Sequence, residues 1–292
     1  VEKPEWLEPS TPSFGYAIAS ADGFTIVGDD RGDGSGEVHV YYRDKSNVWT
    51  PVESHGVVNP TLQDGSRFGL SIAMDANVAV VGSPQLNNSG GGAASVFERD
   101  GANWSLIDEL TIESSSGLGM SVATAVLGDL ALIAAGDPDG GTDGLVYIWR
   151  INLETGNRTL EGTLQDPSIM GGDFKFGFSL DMDVDASGSV VIAIGNTDWT
   201  SNQLTGSVEL FRRDNGSGTW SHEETVQPGI QFPDNWSSYA FGYDVAIDDG
   251  MLVVGAPQAN WYSNFGYFAQ TAGDAYLFKA TPSSGSASWT LD

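Results

Sequence analysis

The chain has 292 residues, with 39 acidic side chains against 12 basic ones, a formal charge of −27, 38 glycines, 12 prolines and no cysteine. A surface this anionic repels phosphate backbones and excludes nucleic acid as a partner. No apolar run approaches the roughly 20 residues that insertion across a bilayer needs, and the missing cysteines remove disulfides, thiolate zinc sites and thiol nucleophiles. A content of 40% hydrophobic and 11% aromatic residues is enough for a core, so the chain is not read as disordered. The start at Val1-Glu2-Lys3, without Met, points to a processed or excised piece.

In chain order, residues 1–13, which contain Trp6-Leu7-Glu8-Pro9, are expected to supply an N-terminal strand for ring closure. Five repeats follow, over about 14–67, 68–117, 118–175, 176–240 and 241–292. They open Phe14-Gly15-Tyr16-Ala17-Ile18-Ala19, Phe68-Gly69-Leu70-Ser71-Ile72-Ala73, Leu118-Gly119-Met120-Ser121-Val122-Ala123, Phe176-Gly177-Phe178-Ser179-Leu180-Asp181 and Phe241-Gly242-Tyr243-Asp244-Val245-Ala246. After a polar turn each has an apolar run ending in Gly, at 25–28, 79–82, 131–136, 190–195 and 252–255. A Gly-rich loop then leads to an alternating segment at 36–41, 92–97, 144–149, 206–211 and 273–278. A last segment carries Trp49, Trp104, Trp220 or Trp289 in four of the five repeats.

Each repeat therefore predicts four short strands. The continuously apolar second strand implies burial on both faces, and Asp22-Gly23, Asp75-Ala76-Asn77 and Asp249-Gly250 have hairpin chemistry. No sustained 3.6-residue periodicity appears, so helix should be nearly absent. Four-stranded units of this length in series predict an all-β fold, a β-propeller of antiparallel blades in one domain spanning 1–292, with five blades unless the chain is cut from a longer array.

Phe-Gly followed by an apolar strand ending Val254-Gly255-Ala256-Pro257, or Val81-Gly82-Ser83-Pro84 in the second repeat, resembles the FG-GAP repeat. That family includes the integrin α-subunit propeller, and the Gly-x-x-x-Val-Phe and Trp elements are closer to its longer microbial and algal type. The resemblance covers Phe14 to Trp289. It implies a cell-surface or secreted propeller used in adhesion or ligand binding. Seven blades are common in the family, so five is a departure. Integrin-like repeats hold calcium in an Asp-rich loop between strands one and two, and this chain's tight turns depart from that pattern.

Propeller geometry sorts the loops onto two faces. Arg43, Lys45, Arg99, Arg150, Arg158, Arg212, Arg213 and Lys279 lie at or just beyond the end of strand three, which leaves the opposite, expected binding face almost purely acidic. Calcium is the cofactor to test, since oxygen ligands at short spacing suit a hard cation. Its candidate ligands are Asp183 and Asp185 in Asp181-Met182-Asp183-Val184-Asp185, and Asp137, Asp139 and Asp143 in the Gly-rich loop of repeat three. Trp199, Trp236 and Trp261 break the tryptophan periodicity and sit in the longest insertions, with Tyr239 and Tyr262 nearby. Exposed aromatics rimmed by polar residues make a patch for a glycan or a protein segment; the alternative is a small core that folds long loops down.

Asp181 and Asp244 replace small residues in the first strands of repeats four and five. They are read as part of the ligand site, as an acid pair, or as structurally satisfied aspartates. The expected function is an extracellular or cell-surface binding propeller. The alternatives are a carbohydrate-active hydrolase or lyase using that Asp pair, and a structural module of a larger assembly. His39, His55 and His222 are scattered, and no Ser-His-Asp, His-Glu-x-x-His or phosphate loop appears, so an enzyme is the less favoured reading. Asn87, Asn103, Asn157, Asn215 and Asn235 open glycosylation sequons, as in a secreted glycoprotein, and Arg31-Gly32-Asp33 is a tripeptide that this composition produces by chance.

Overall fold

A computed structural model describes residues 13–31, 34–52, 65–85, 91–167, 174–185, 187–198, 206–228, 240–257, 261–262, 268–269, 273–283 and 286–292. The fold class is all-β, five four-stranded antiparallel blades of a β-propeller, with no α-helix among the described residues. Among the described residues no helix is long and apolar enough to cross a membrane. Two compact units are present, residues 1–137 with 150–159, and residues 138–149 with 160–292.

Blade one contains β1 (Phe14–Ala21), β2 (Phe24–Asp29), β3 (Glu37–Arg43) and β4 (Trp49–Pro51); blade two contains β5 (Ile72–Asp75), β6 (Val78–Ser83), β7 (Ala93–Asp100) and β8 (Asn103–Thr111). Blade three has β9 (Ser121–Leu127), β10 (Leu130–Asp137), β11 (Leu145–Asn152) and β12 (Arg158–Leu164), and blade four has β13 (Phe174–Val184), β14 (Val190–Asp198), β15 (Ser207–Arg213) and β16 (Trp220–Val226). Blade five runs through β17 (Asp244–Asp248), β18 (Met251–Ala256), an inserted hairpin of β19 (Trp261–Tyr262) and β20 (Phe268–Ala269), then β21 (Asp274–Ser283) and β22 (Ser286–Leu291). Each blade's sheet order follows its chain order. The turns match their chemistry: Asp22 and Gly23 both have positive φ (50° and 79°), as do Asp249 and Gly250 (44° and 73°), which two-residue hairpins need.

β6 is buried along its whole length, and β10 and β14 nearly so, which is why their sequences are apolar up to the closing glycine at Gly82, Gly136 and Gly195. β18 differs. Met251 and Val253 are each 44% exposed while Leu252 and Val254 are fully buried. In blades one and four the face that corresponds to Met251 and Val253 is covered by the first strand of the next repeat. Trp49 is exposed, with the Arg43 guanidinium 5.6 Å from its ring centre. Residues 1–12, expected to contribute a strand, lie outside the described residues.

The Phe-Gly start is a joint between blades, and in blades two, three and five it precedes the first strand. Gly69 has φ +89°, and β5 begins at Ile72. The backbone of this joint presses on the preceding blade so closely that a Cβ on Gly28 would lie 2.1 Å from the Gly69 carbonyl oxygen, and one on Gly195 would lie 2.1 Å from that of Gly242. Phe68, Leu118, Phe176 and Phe241 are fully buried beside these contacts, each contributing roughly 1.5–3 kcal/mol. In the first unit, Phe68 joins Phe24, Ile26, Val38, Val40, Ala79, Val81 and Phe97 in one core. In the second, Phe241 packs among Val191, Val208, Val245, Leu252, Phe278 and Trp289.

Candidate functional site

The first strands of neighbouring blades are joined through side chains. In the second unit, three alternate residues of β13 reach the fifth blade: Ser179 Oγ donates to the Gly242 carbonyl at 2.8 Å, Asp181 Oδ2 accepts the Ile247 N–H at 2.7 Å, and Asp183 Oδ2 accepts the Asp249 N–H at 3.0 Å. The first unit uses the same device, with Ser71 Oγ donating to the Gly119 carbonyl at 2.9 Å and Asp75 Oδ2 accepting the Val126 N–H at 2.7 Å. Strand alternation puts these side chains on one side. Asp181 occupies the position held by Ala73 in blade two, so it adds a stitch where blade two has none.

This row of acids is crowded. Burial, and then the charges of Asp183 and Asp244, push the Asp181 carboxyl up to about 6, against the pull of the Ile247 and Met182 N–H groups. Asp183 is raised by burial and by the carboxylates of Asp248 and Asp249. Asp244 is also raised, chiefly because protein mass on one side of it displaces solvent, although its other side is open; its Oδ1 accepts the Val245 N–H at 3.1 Å. Asp185 goes the other way. Burial raises it, but hydrogen bonds from Ser187 and Arg212 outweigh that and hold it below the usual carboxylate range.

The acids of the repeat-three loop are placed apart from these. Asp137 is fully buried at the end of β10, its Oδ2 accepting the Ser116 N–H at 3.2 Å. Asp139 is exposed and pairs with Lys175 Nζ at 2.6 Å, and the Asp143 carbonyl accepts the Phe176 N–H at 2.9 Å. Of the aromatic candidates, Trp199, Trp236 and Tyr239 lie outside the described residues. Trp261 and Tyr262 form strand β19, paired with Ala269 and Phe268. Asn103, Asn157 and Asn215 are exposed at or beside turns; Asn87 and Asn235 lie outside the described residues, as do Gly32 and Asp33.

Among the described residues, one group brings three metal-type ligand atoms together: Asp29, Glu37 and His39, all within 4.8 Å of one another. The sheet register builds it. Asp29 ends β2 and pairs with Glu37 at the start of β3, and His39 stands two residues further along, on the same face as Glu37. Phe14 pairs with Asp29 from the other side, and its ring lies 5.1 Å from the imidazole. Asp29 is fully buried, and its Oδ1 accepts the Arg31 N–H at 3.4 Å. His39 had a readable signal in Glu37-x-His39 on an alternating strand, but Asp29 joins it only through pairing across the loop. In blade four the position of His39 holds Glu209, a fully buried carboxylate that accepts from Ser207 Oγ at 2.8 Å and Thr225 Oγ1 at 2.6 Å and meets His222 Nε2 at 2.9 Å.

These sheets define the class as that of the β-propellers. No protein-family model matches the chain, and no curated protein matches it. Among solved structures the chain is similar to the GH74 enzyme of Niastella koreensis, with a TM-score of 0.50 and 14% identity, over 96% of this chain and 38% of that one. At that identity the likeness is one of fold, and this chain matches well under half the length of that enzyme.

Proposed function

We propose that the chain is an extracellular or cell-surface binding propeller of FG-GAP type that recognises a neutral or cationic glycan or a protein segment through the loops bearing Trp199, Trp236, Tyr239, Trp261 and Tyr262. The observation that carries this reading is the β19–β20 hairpin. The longest interruption of blade five is a paired insertion with Trp261 and Tyr262 on one strand, which is what an aromatic recognition loop on a rigid scaffold requires. The anionic charge favours neutral or cationic ligands. The candidate catalytic carboxylates also support binding over chemistry, since Asp181 accepts two backbone N–H groups and Asp244 one.

Trp236→Ala and Trp261→Ala should each lose binding to soluble neutral glucans or chitosan by about tenfold or more with an unchanged melting temperature, as expected of aromatic anchors worth ~1.4 kcal/mol or more. Undiminished binding in both variants would sink the site. A second reading, a glycoside hydrolase with Asp181 as general acid, is favoured by the rise of that carboxyl to about 6, a value suited to proton donation near neutrality, and by a fold shared with a GH74 glycoside hydrolase. Glucan cleavage abolished by Asp181→Asn would establish it.

A further inference from the structure

We propose that Asp29, Glu37 and His39 form a binding site for a divalent transition-metal ion, of the zinc or manganese class, in blade one. Two carboxylates and one imidazole are a donor set that zinc and its neighbours accept, whereas calcium prefers six to eight oxygens. Zinc–ligand bonds of about 2.0–2.2 Å place ligand atoms about 3–4 Å apart. The three atoms lie within 4.8 Å of one another, so they close on an ion by side-chain movements of about an ångström.

A second observation points into the same space. The Nε2 atom of His39 is shielded from solvent and makes no hydrogen bond, although the side chain as a whole is 29% exposed. It lies 3.1 Å from Glu37 Oε1 without hydrogen-bond alignment. A polar nitrogen buried beside two carboxylates normally finds a donor or acceptor partner, and a lone pair directed at a cation satisfies that need. Arg67 gives both Nε (2.9 Å) and Nη2 (2.6 Å) to Oδ2 of Asp30, the residue after Asp29.

The trio is also peculiar to blade one. The same register positions hold Ser83, Ala93 and Ser95 in blade two, Asp137, Leu145 and Tyr147 in blade three, Asn196, Ser207 and Glu209 in blade four, and Ala256, Asp274 and Tyr276 in blade five. The propeller repeat therefore does not require it. Where blade four buries an acid in the same row, hydroxyl groups and an imidazole surround it. Three protein ligands leave at least one coordination position open, as in sites where the ion itself meets water or a ligand.

The test is calorimetric titration of the chelator-treated chain with ZnCl2, MnCl2 and CaCl2, alongside His39→Ala and Glu37→Gln. The expected result is one saturable Zn2+ or Mn2+ site per chain, a melting temperature that rises with ion concentration, and affinity lowered more than about tenfold in each variant, since even outer partners of a metal act on that scale. Co2+ should give visible ligand-field absorption that His39→Ala removes. Each variant's melting temperature in chelator checks that it is folded, and His39, being partly exposed, supplies the variant that disturbs packing less. Unsaturable binding, unchanged affinity in folded His39→Ala, or equal affinity for Ca2+ overturns the proposal.

Discussion

Asp181 shows how one side chain can join two blades and still be held in an unfavourable state. Its carboxyl is raised to about 6 from 3.8, burial being the first cause, so the folded chain keeps this proton longer than the unfolded chain does. The penalty is absent below about pH 4, grows as pH rises through 4 to 6, and stays constant above that. Asp183 and Asp244 shift in the same direction. Asp185 shifts oppositely, so its contribution is present above the ordinary carboxylate range and fades as pH falls. Asp181→Asn cannot ionise. Its melting temperature relative to the parent should therefore climb between pH 4 and 6, by the equivalent of on the order of 2–3 kcal/mol. A difference flat with pH would show that the carboxyl is not held neutral.

At the scale of the element, the repeat's glycines act by close approach. Gly28 has ordinary backbone angles, yet a Cβ there would meet the Gly69 carbonyl at 2.1 Å and its carbon at 3.0 Å. Gly28→Ala should cost about 3 kcal/mol or more by denaturant unfolding, the range of severe overpacking. Gly162→Ala, in β12, would meet only the Trp220 ring at 3.6 Å, and should leave stability unchanged or raise it by about 0.5–1 kcal/mol. Equal effects of the two changes would remove the joint from the account. The fourth strands are held differently. Glu161 of β12 receives Arg213 Nε at 2.7 Å, Arg213 Nη2 at 3.0 Å and Trp220 Nε1 at 2.9 Å, which ties β12 to blade four.

For the whole molecule, the charge of −27 is a mutual repulsion that folding concentrates. Raising NaCl from about 10 mM to about 150 mM shortens the screening length from about 30 to about 8 Å. The melting temperature should then rise by several degrees. A fall would mean that the surface ion pairs, such as Lys175–Asp139 and Arg158–Asp108, outweigh the repulsion. Because Asp29, Glu37, Asp181 and Asp183 carry part of this charge on interior rows, a bound cation and added salt should be separable. A site ion acts at one equivalent, and screening acts at millimolar concentrations.

The amino-acid sequence by itself determined the blades. Phe-Gly starts (Leu118-Gly119 in the third repeat), apolar runs closed by glycine and alternating third strands recur five times, and each follows from local rules of strand burial, hairpin turns and backbone clearance. The periodicity also marked Asp181 as unusual. It did not show which groups meet. Asp181 reaches Ile247, 66 residues away, and Asp29 reaches Glu37 and His39 through strand register across a loop. The first meeting depends on contact between blades and the second on strand pairing across a loop, and local sequence carries no signal for a distance between segments. Tertiary structure alone decided that the acids of β13 hold backbone N–H groups of blade five, and that a histidine of ordinary appearance comes within 4.8 Å of two carboxylates.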